Sequence, residues 1–140
     1  KELKKWINTA VTKELCTDRP NEITRLSLLR AKFAETLAPI FGLTMKSSEL
    51  FLVGLFSVLD LILNLPMEEA LDKIRVSKEI SEALVHQKGE LAAVLDFMLH
   101  YEAADWQEVS RQMIIMSISM DAVYAAYIES VRWYKDVFFS

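Results

Sequence analysis

Between Phe51 and Leu63 the chain reads FLVGLFSVLDLIL, with apolar side chains on every side of a helical projection. Such a pattern predicts a helix buried all round rather than a half-exposed amphipathic one. Four small or polar residues interrupt it, Gly54, Ser57, Asp60 and Asn64. Their steps of three, three and four place them on one helical face. Any chemistry inherited by the fold is expected on that face, and the residues standing there are not catalytic.

The flanking segments repeat apolar positions at helical spacing. Lys1 to Cys16 carries Leu3, Trp6, Ile7, Ala10, Val11 and Leu15 on one stripe. Thr17 to Asn21 breaks it, with Asp18 or Asn21 available to cap the next helix. From Glu22 to Phe41 the expected inner face is Ile23, Leu26, Leu29, Phe33, Leu37 and Ile40, with Pro39 kinking or ending the helix and Gly42 stopping it. Ser47 or Ser48 is the expected cap of the central helix, with Glu49 in its first turn. Pro66 opens a short helix to about Lys73, and Ser77 caps another running to about Gln87 and closed by Gly89. Helices over Glu90–Ala103, Trp106–Ile118 and Met120–Phe138 complete the chain. No strand-like alternation, repeat or low-complexity linker is present. The expectation is all-α, about eight helices in one domain over residues 1–140.

Composition narrows the class. Of 140 residues, 52% are apolar and 26% charged, with three Gly and three Pro, the profile of a compact helical domain. The single cysteine, Cys16, excludes an intramolecular disulfide. The longest apolar run, Leu50 to Leu65, is too short and interrupted for the ~20 residues of a membrane span, and no signal peptide follows the charged start. A cytoplasmic location without membrane insertion is the corresponding expectation. The net charge of −4 is uneven: residues 1–35 hold eight Lys/Arg against five Asp/Glu, and residues 36–140 hold eight against fifteen. That acidic bulk disfavours nucleic acid as a partner, while the basic start around Lys1, Lys4, Lys5 and Arg30 suits an acidic protein surface.

The run FLVGLFSVLDLILNLPMEEAL resembles the HDOD domain, the HD-related output domain of bacterial signalling proteins. RAKFAE (Arg30–Glu35), ISEALVHQKGELAAVLDFMLHYEAADW (Ile80–Trp106) and SMDAVYAAYIESVRWYKDV (Ser119–Val137) extend the likeness in order along the chain. GLFSVLD, LPMEEAL and YEAADW together resemble the HDOD half of proteins that join an EAL domain to an HDOD domain. The resemblance implies an HD-like helical bundle, here without its N-terminal helices. In active HD phosphohydrolases the signature helix carries an adjacent His-Asp pair that holds a divalent metal. By resemblance those degenerate positions are Ser57 and Val58. Valine cannot ligate a metal, a serine hydroxyl is a poor ligand beside imidazole and carboxylate, and no histidine precedes His86. Without a metal there is no activated water for phosphoester hydrolysis. No catalytic residue, metal or cofactor is therefore expected.

Other residues admit two readings. Ser57 is either a polar contact for a ligand or a small residue that lets a helix pack closely. Asp60 beside Asn64 is either a site carboxylate or one bonded to a cap or an arginine. His86 lies in a polar, solvated stretch, and His100 has Asp96 four residues earlier on the same face. Cys16 has no neighbouring group to activate it. Met113, Met116 and Met120 form a stripe that reads first as core filler. Trp133 and Tyr134 either cover the core or anchor a partner, since Trp, Tyr and Arg are frequent in interface hot spots; Phe138 reads as core. Tyr101–Glu102 and Asp105–Trp106 read as helix-junction packing with solvated acids.

The function implied is an output or regulatory module acting by protein contact, with a protein partner or an attached EAL domain of cyclic-diguanylate turnover. Self-association through surface left bare by the missing helices is a further expectation. The alternatives are a residual phosphohydrolase using Asp60, His86 and His100, and a small-ligand sensor using the former active-site pocket.

Overall fold

A computed structural model describes residues 22–139. Among the described residues there are eight α-helices, one short 3-10 turn and no strand, so the fold is all-α. The expected helix over residues 1–16, its break and both candidate caps lie outside the described residues.

The order is α1 (Glu22–Leu37), the 3-10 turn Thr44–Lys46, α2 (Ser47–Phe56), α3 (Leu59–Leu63), α4 (Met67–Ile74), α5 (Lys78–Val85), α6 (Glu90–Glu102), α7 (Trp106–Met116) and α8 (Met120–Phe139). α1 is the axis of the bundle. It packs most extensively on α2, then on α8, and also touches α6 and α3. Phe33, Phe56 and Phe97 are among the largest fully buried side chains, with Leu37, Leu50, Leu59, Leu91 and Met98 around them. Each contributes roughly 1.5–3 kcal/mol by leaving water. Phe33 also joins an aromatic cluster with Tyr101 and Tyr127, ring centroids 5.4 and 5.5 Å away.

Several helix ends follow from local chemistry. The Ser77 hydroxyl accepts the amide hydrogen of Ile80 at 3.3 Å and starts α5. The Asp105 carboxylate does the same for Glu108 at 3.4 Å and starts α7. α1 stops at Leu37, just before Pro39, and the turn closes through Gly42 at φ +72°. Pro66 stands as the N-cap of α4. α5 ends at Val85, earlier than expected, and Gly89, φ +95°, serves as the N-cap of α6.

Four expectations need correction. The central helix is not continuous: it ends at Phe56, and α3 begins at Leu59 after a turn at Ser57 and Val58. Ser57 bonds back onto the Gly54 carbonyl at 2.7 Å, which supplies a local partner at the break. Nor is the stretch buried all round, because Leu61 and Ile62 are exposed on α3. Ser47 does not cap α2; its hydroxyl bonds to the Thr44 carbonyl, and the 3-10 turn runs straight into the helix.

The inner face of α1 also differs. Thr24, Ser27, Leu28, Ala31, Phe33, Ala34 and Leu37 are buried, while Ile23, Leu26 and Leu29 are only half-buried. The reason is the closeness of α2. A Cβ placed on Gly54 would lie 2.4 Å from the carbonyl oxygen of Arg30 and 2.7 Å from the amide nitrogen of Ala31. The backbones touch there, so the seam selects small residues over large apolar ones.

Candidate functional site

The Gly54 contact positions the end of α2 against α1. One turn beyond Gly54, Ser57 comes within reach of the Arg30 side chain, whose Nη1 donates to the serine hydroxyl at 3.2 Å. Arg30 is itself held by Glu102 at the end of α6: Nε lies 3.1 and 3.0 Å from the two carboxylate oxygens and Nη2 lies 2.8 Å from one of them. The Arg30 side chain is 14% exposed and that of Glu102 24%. A forked, charge-assisted pair at such low exposure is strong and directional. Three elements, α1, the α2 end and α6, thus meet at one guanidinium. Glu102 is therefore not the solvated acid of a helix junction.

Nearby, the Ser27 hydroxyl donates to the Leu55 carbonyl at 2.6 Å across the same seam. Val58 is buried. Every buried side-chain nitrogen and oxygen among the described residues has a partner, so the seam offers no orphaned polar atom to a ligand. The arrangement holds three helices together, and the hydroxyls of Ser27 and Ser57 are both engaged in hydrogen bonds within it.

The remaining candidates lie apart from Ser57. Asp60 is half-buried on α3, and no hydrogen bond or ion pair to another described residue engages its carboxylate. Among the described residues the expected bond to a cap or arginine is not formed. His86 is exposed at the C-cap of α5. His100 sits between two carboxylates: Nδ1 lies 3.1 Å from Asp105 and Nε2 lies 3.5 Å from Asp96. The i,i+4 pairing with Asp96 is legible in the sequence, whereas the second acid arrives only through the turn into α7. Among the described residues no group of three or more His, Cys, Asp and Glu side chains is placed to hold a metal, so Asp60, His86 and His100 are not assembled into one. Cys16 lies outside the described residues.

Trp133 is half-buried on α8, edge-on to Phe51 at 6.2 Å with the Lys32 ammonium 5.8 Å from its ring. Tyr134 is buried beside Phe138 and Phe139, and burial pushes its phenol pKa up. It lines an open groove of about 660 Å³ between α1 and α8 with Arg25, Leu29, Tyr127, Val131 and Phe139. That groove is distinct from the seam at Ser57, where the Arg30 side chain stands. The methionine stripe divides: Met113 is buried, while Met116 and Met120 are 37% and 43% exposed. The core reading fails for the last two.

At the α6–α7 junction, Glu108 pairs with Arg111 and accepts from Gln112 at 2.8 Å. Those two partners hold its carboxyl at about 2, well below the usual carboxylate range.

No family model matches the chain, and no solved structure matches it. Two curated proteins are similar. The protein named cyclic di-GMP phosphodiesterase CdgJ, of Vibrio cholerae serotype O1, is 30% identical over 135 residues, covering 96% of this chain and 31% of its own. The protein YuxH of Bacillus subtilis strain 168 is 27% identical over 135 residues, covering 94% of this chain and 32% of its own. The chain spans about a third of the length of these relatives. Among the described residues no single helix is long and apolar enough to cross a membrane.

Proposed function

We propose that this chain is a non-catalytic, HDOD-type module of a longer bacterial cyclic-di-GMP signalling protein, acting by protein contact. The observation that carries the reading is the Arg30–Glu102 pair on Ser57. The resemblance puts the first of the two lost metal ligands at Ser57, and a guanidinium occupies its hydroxyl. A divalent cation there would meet a fixed positive charge about 3 Å away, and at that range repulsion is worth several kcal/mol even at an effective dielectric near 20. Among the described residues, the carboxylate that reaches this guanidinium, Glu102, is already forked onto it. Val58, at the second ligand position, is apolar and buried. These residues do not fit a metal.

The similarity to a protein named as a phosphodiesterase supports membership in that signalling system. Because this chain matches only a third of that relative, the named activity belongs to the relative as a whole. In this reading an attached EAL domain binds or hydrolyses the nucleotide, and the helical module relays or responds.

The test is an assay of purified residues 1–140 with Mn²⁺ or Mg²⁺ against cyclic diguanylate and a generic phosphodiester. The expected result is no turnover above buffer. Turnover that disappears in Asp60→Ala, with stoichiometric bound metal, would overturn the proposal in favour of a residual phosphohydrolase.

A further inference from the structure

Twelve large apolar side chains stand exposed among the described residues, and six of them lie on one stretch: Trp106, Ile114, Ile115, Met116, Met120 and Tyr124. α7 is apolar on two faces. Val109 and Met113 are buried in the helix that packs on α6, while Ile114 and Ile115 are 79% and 66% exposed. Ser117 then takes a left-handed conformation, φ +55°. The chain bends by 117° into α8, where Met120 and Tyr124 add to the same elbow. Exposed apolar surface concentrated in this way marks an interaction site.

Charge selects the occupant. From Gln112 to Val131 there is no Lys or Arg, and Arg111 is held by Glu108. Helices that lie on membranes carry Lys and Arg on their polar face; this elbow carries Asp121 and Glu129 instead. The two helices together have the length and composition of a span, but the bend between them and the missing cations speak against lipid. A second copy packed symmetrically would set those acids against their own equivalents. A companion domain on the same polypeptide meets neither objection. Both relatives align across this elbow and continue for more than twice the matched length elsewhere. Covalent attachment raises effective concentration, so an interface of modest area suffices.

We infer that the α7–α8 elbow is the face on which a companion domain of the same polypeptide docks, an apolar surface with a basic rim. The inference rests on the contact-module reading above. It is tested by placing a photo-cross-linking side chain at Ile115, and as a control at exposed Glu68 on α4, in the gene product expressed at its natural length. The expected result is cross-links from position 115 to chain outside residues 1–140, few from position 68, and a several-fold loss of yield when Ile114→Glu is added. Cross-links to a second copy of residues 1–140, to lipid, or to nothing would overturn it. Failure of the non-catalytic reading shows separately, as turnover by the isolated module.

Discussion

The α1–α2 seam and the α7–α8 elbow draw on similar residue types and do opposite things with them. At the seam two backbones touch at Gly54, small side chains fill the inner face of α1, and the polar groups nearby are bonded. At the elbow isoleucines and methionines face outward, and only Val109 and Met113 of α7 are buried. At Gly54 the seam has no room for even a methyl group, whereas the elbow has apolar surface left uncovered. The difference is what the proposed reading rests on: the position that the resemblance assigns to a metal ligand is engaged by an ion pair, and the uncovered apolar groups of α7 and α8 lie at the surface.

The comparison breaks first at Gly54. Gly54→Ala forces a methyl into the Arg30 carbonyl, which is backbone and cannot swing away. Overpacking of this kind costs about 3 kcal/mol or prevents folding, read as a lower urea midpoint at unchanged slope. Next comes Arg30→Ala, which leaves Glu102 mostly enclosed and unpaired. The expected loss is about 2 kcal/mol, between exposed and fully buried pairs; an Arg30→Met, Glu102→Leu double variant should lose less than the two single alanine variants summed. Asp105→Ala removes the α7 cap and should cost about 1 kcal/mol. Ile114→Glu with Ile115→Glu should change stability by no more than about 0.5 kcal/mol, yet cut binding of an apolar dye to the folded module. A large loss of stability there would mean that the elbow belongs to the core.

The smallest effect concerns pH. The hydrogen bonds from Arg111 and Gln112 hold the Glu108 carboxyl at about 2, below its ordinary value of 4.5. A depressed carboxylate stabilises the folded state above its unfolded pKa, and that contribution fades as pH falls from about 4.5 through 2. Glu108→Gln should therefore differ slightly from the parent at pH 7 and converge with it in acid. Denaturation midpoints at several pH values check the trend.

Much of the helical order was legible in the residues. Ser77, Pro66 and the paired Pro39 and Gly42 announce helix ends by their own chemistry, and structure follows them closely. What was not legible depends on a second element. Gly54 stands out as small, but only the Arg30 carbonyl explains why it must be. Hydrophobicity points to the Ile23–Leu26–Leu29 side of α1, because close backbone approach replaces large residues with Ser27, Ala31 and Ala34. The break at Ser57 has no proline or glycine to mark it, since its partners are the Gly54 carbonyl and an arginine from another helix. The Arg30–Glu102 pair joins residues 72 apart, beyond any local pattern. At the elbow, helical spacing of the methionines was plain, but spacing alone does not distinguish a stripe covered by its own domain from one left for a partner.

The central claim is that an ion pair stands where the resemblance would put a metal. Isothermal titration of Mn²⁺ into purified residues 1–140 tests it most directly. The account predicts no saturable binding, in the parent or in Ser57→Ala. Stoichiometric uptake by the parent, weakened by Glu102→Gln or Asp60→Ala, would contradict it.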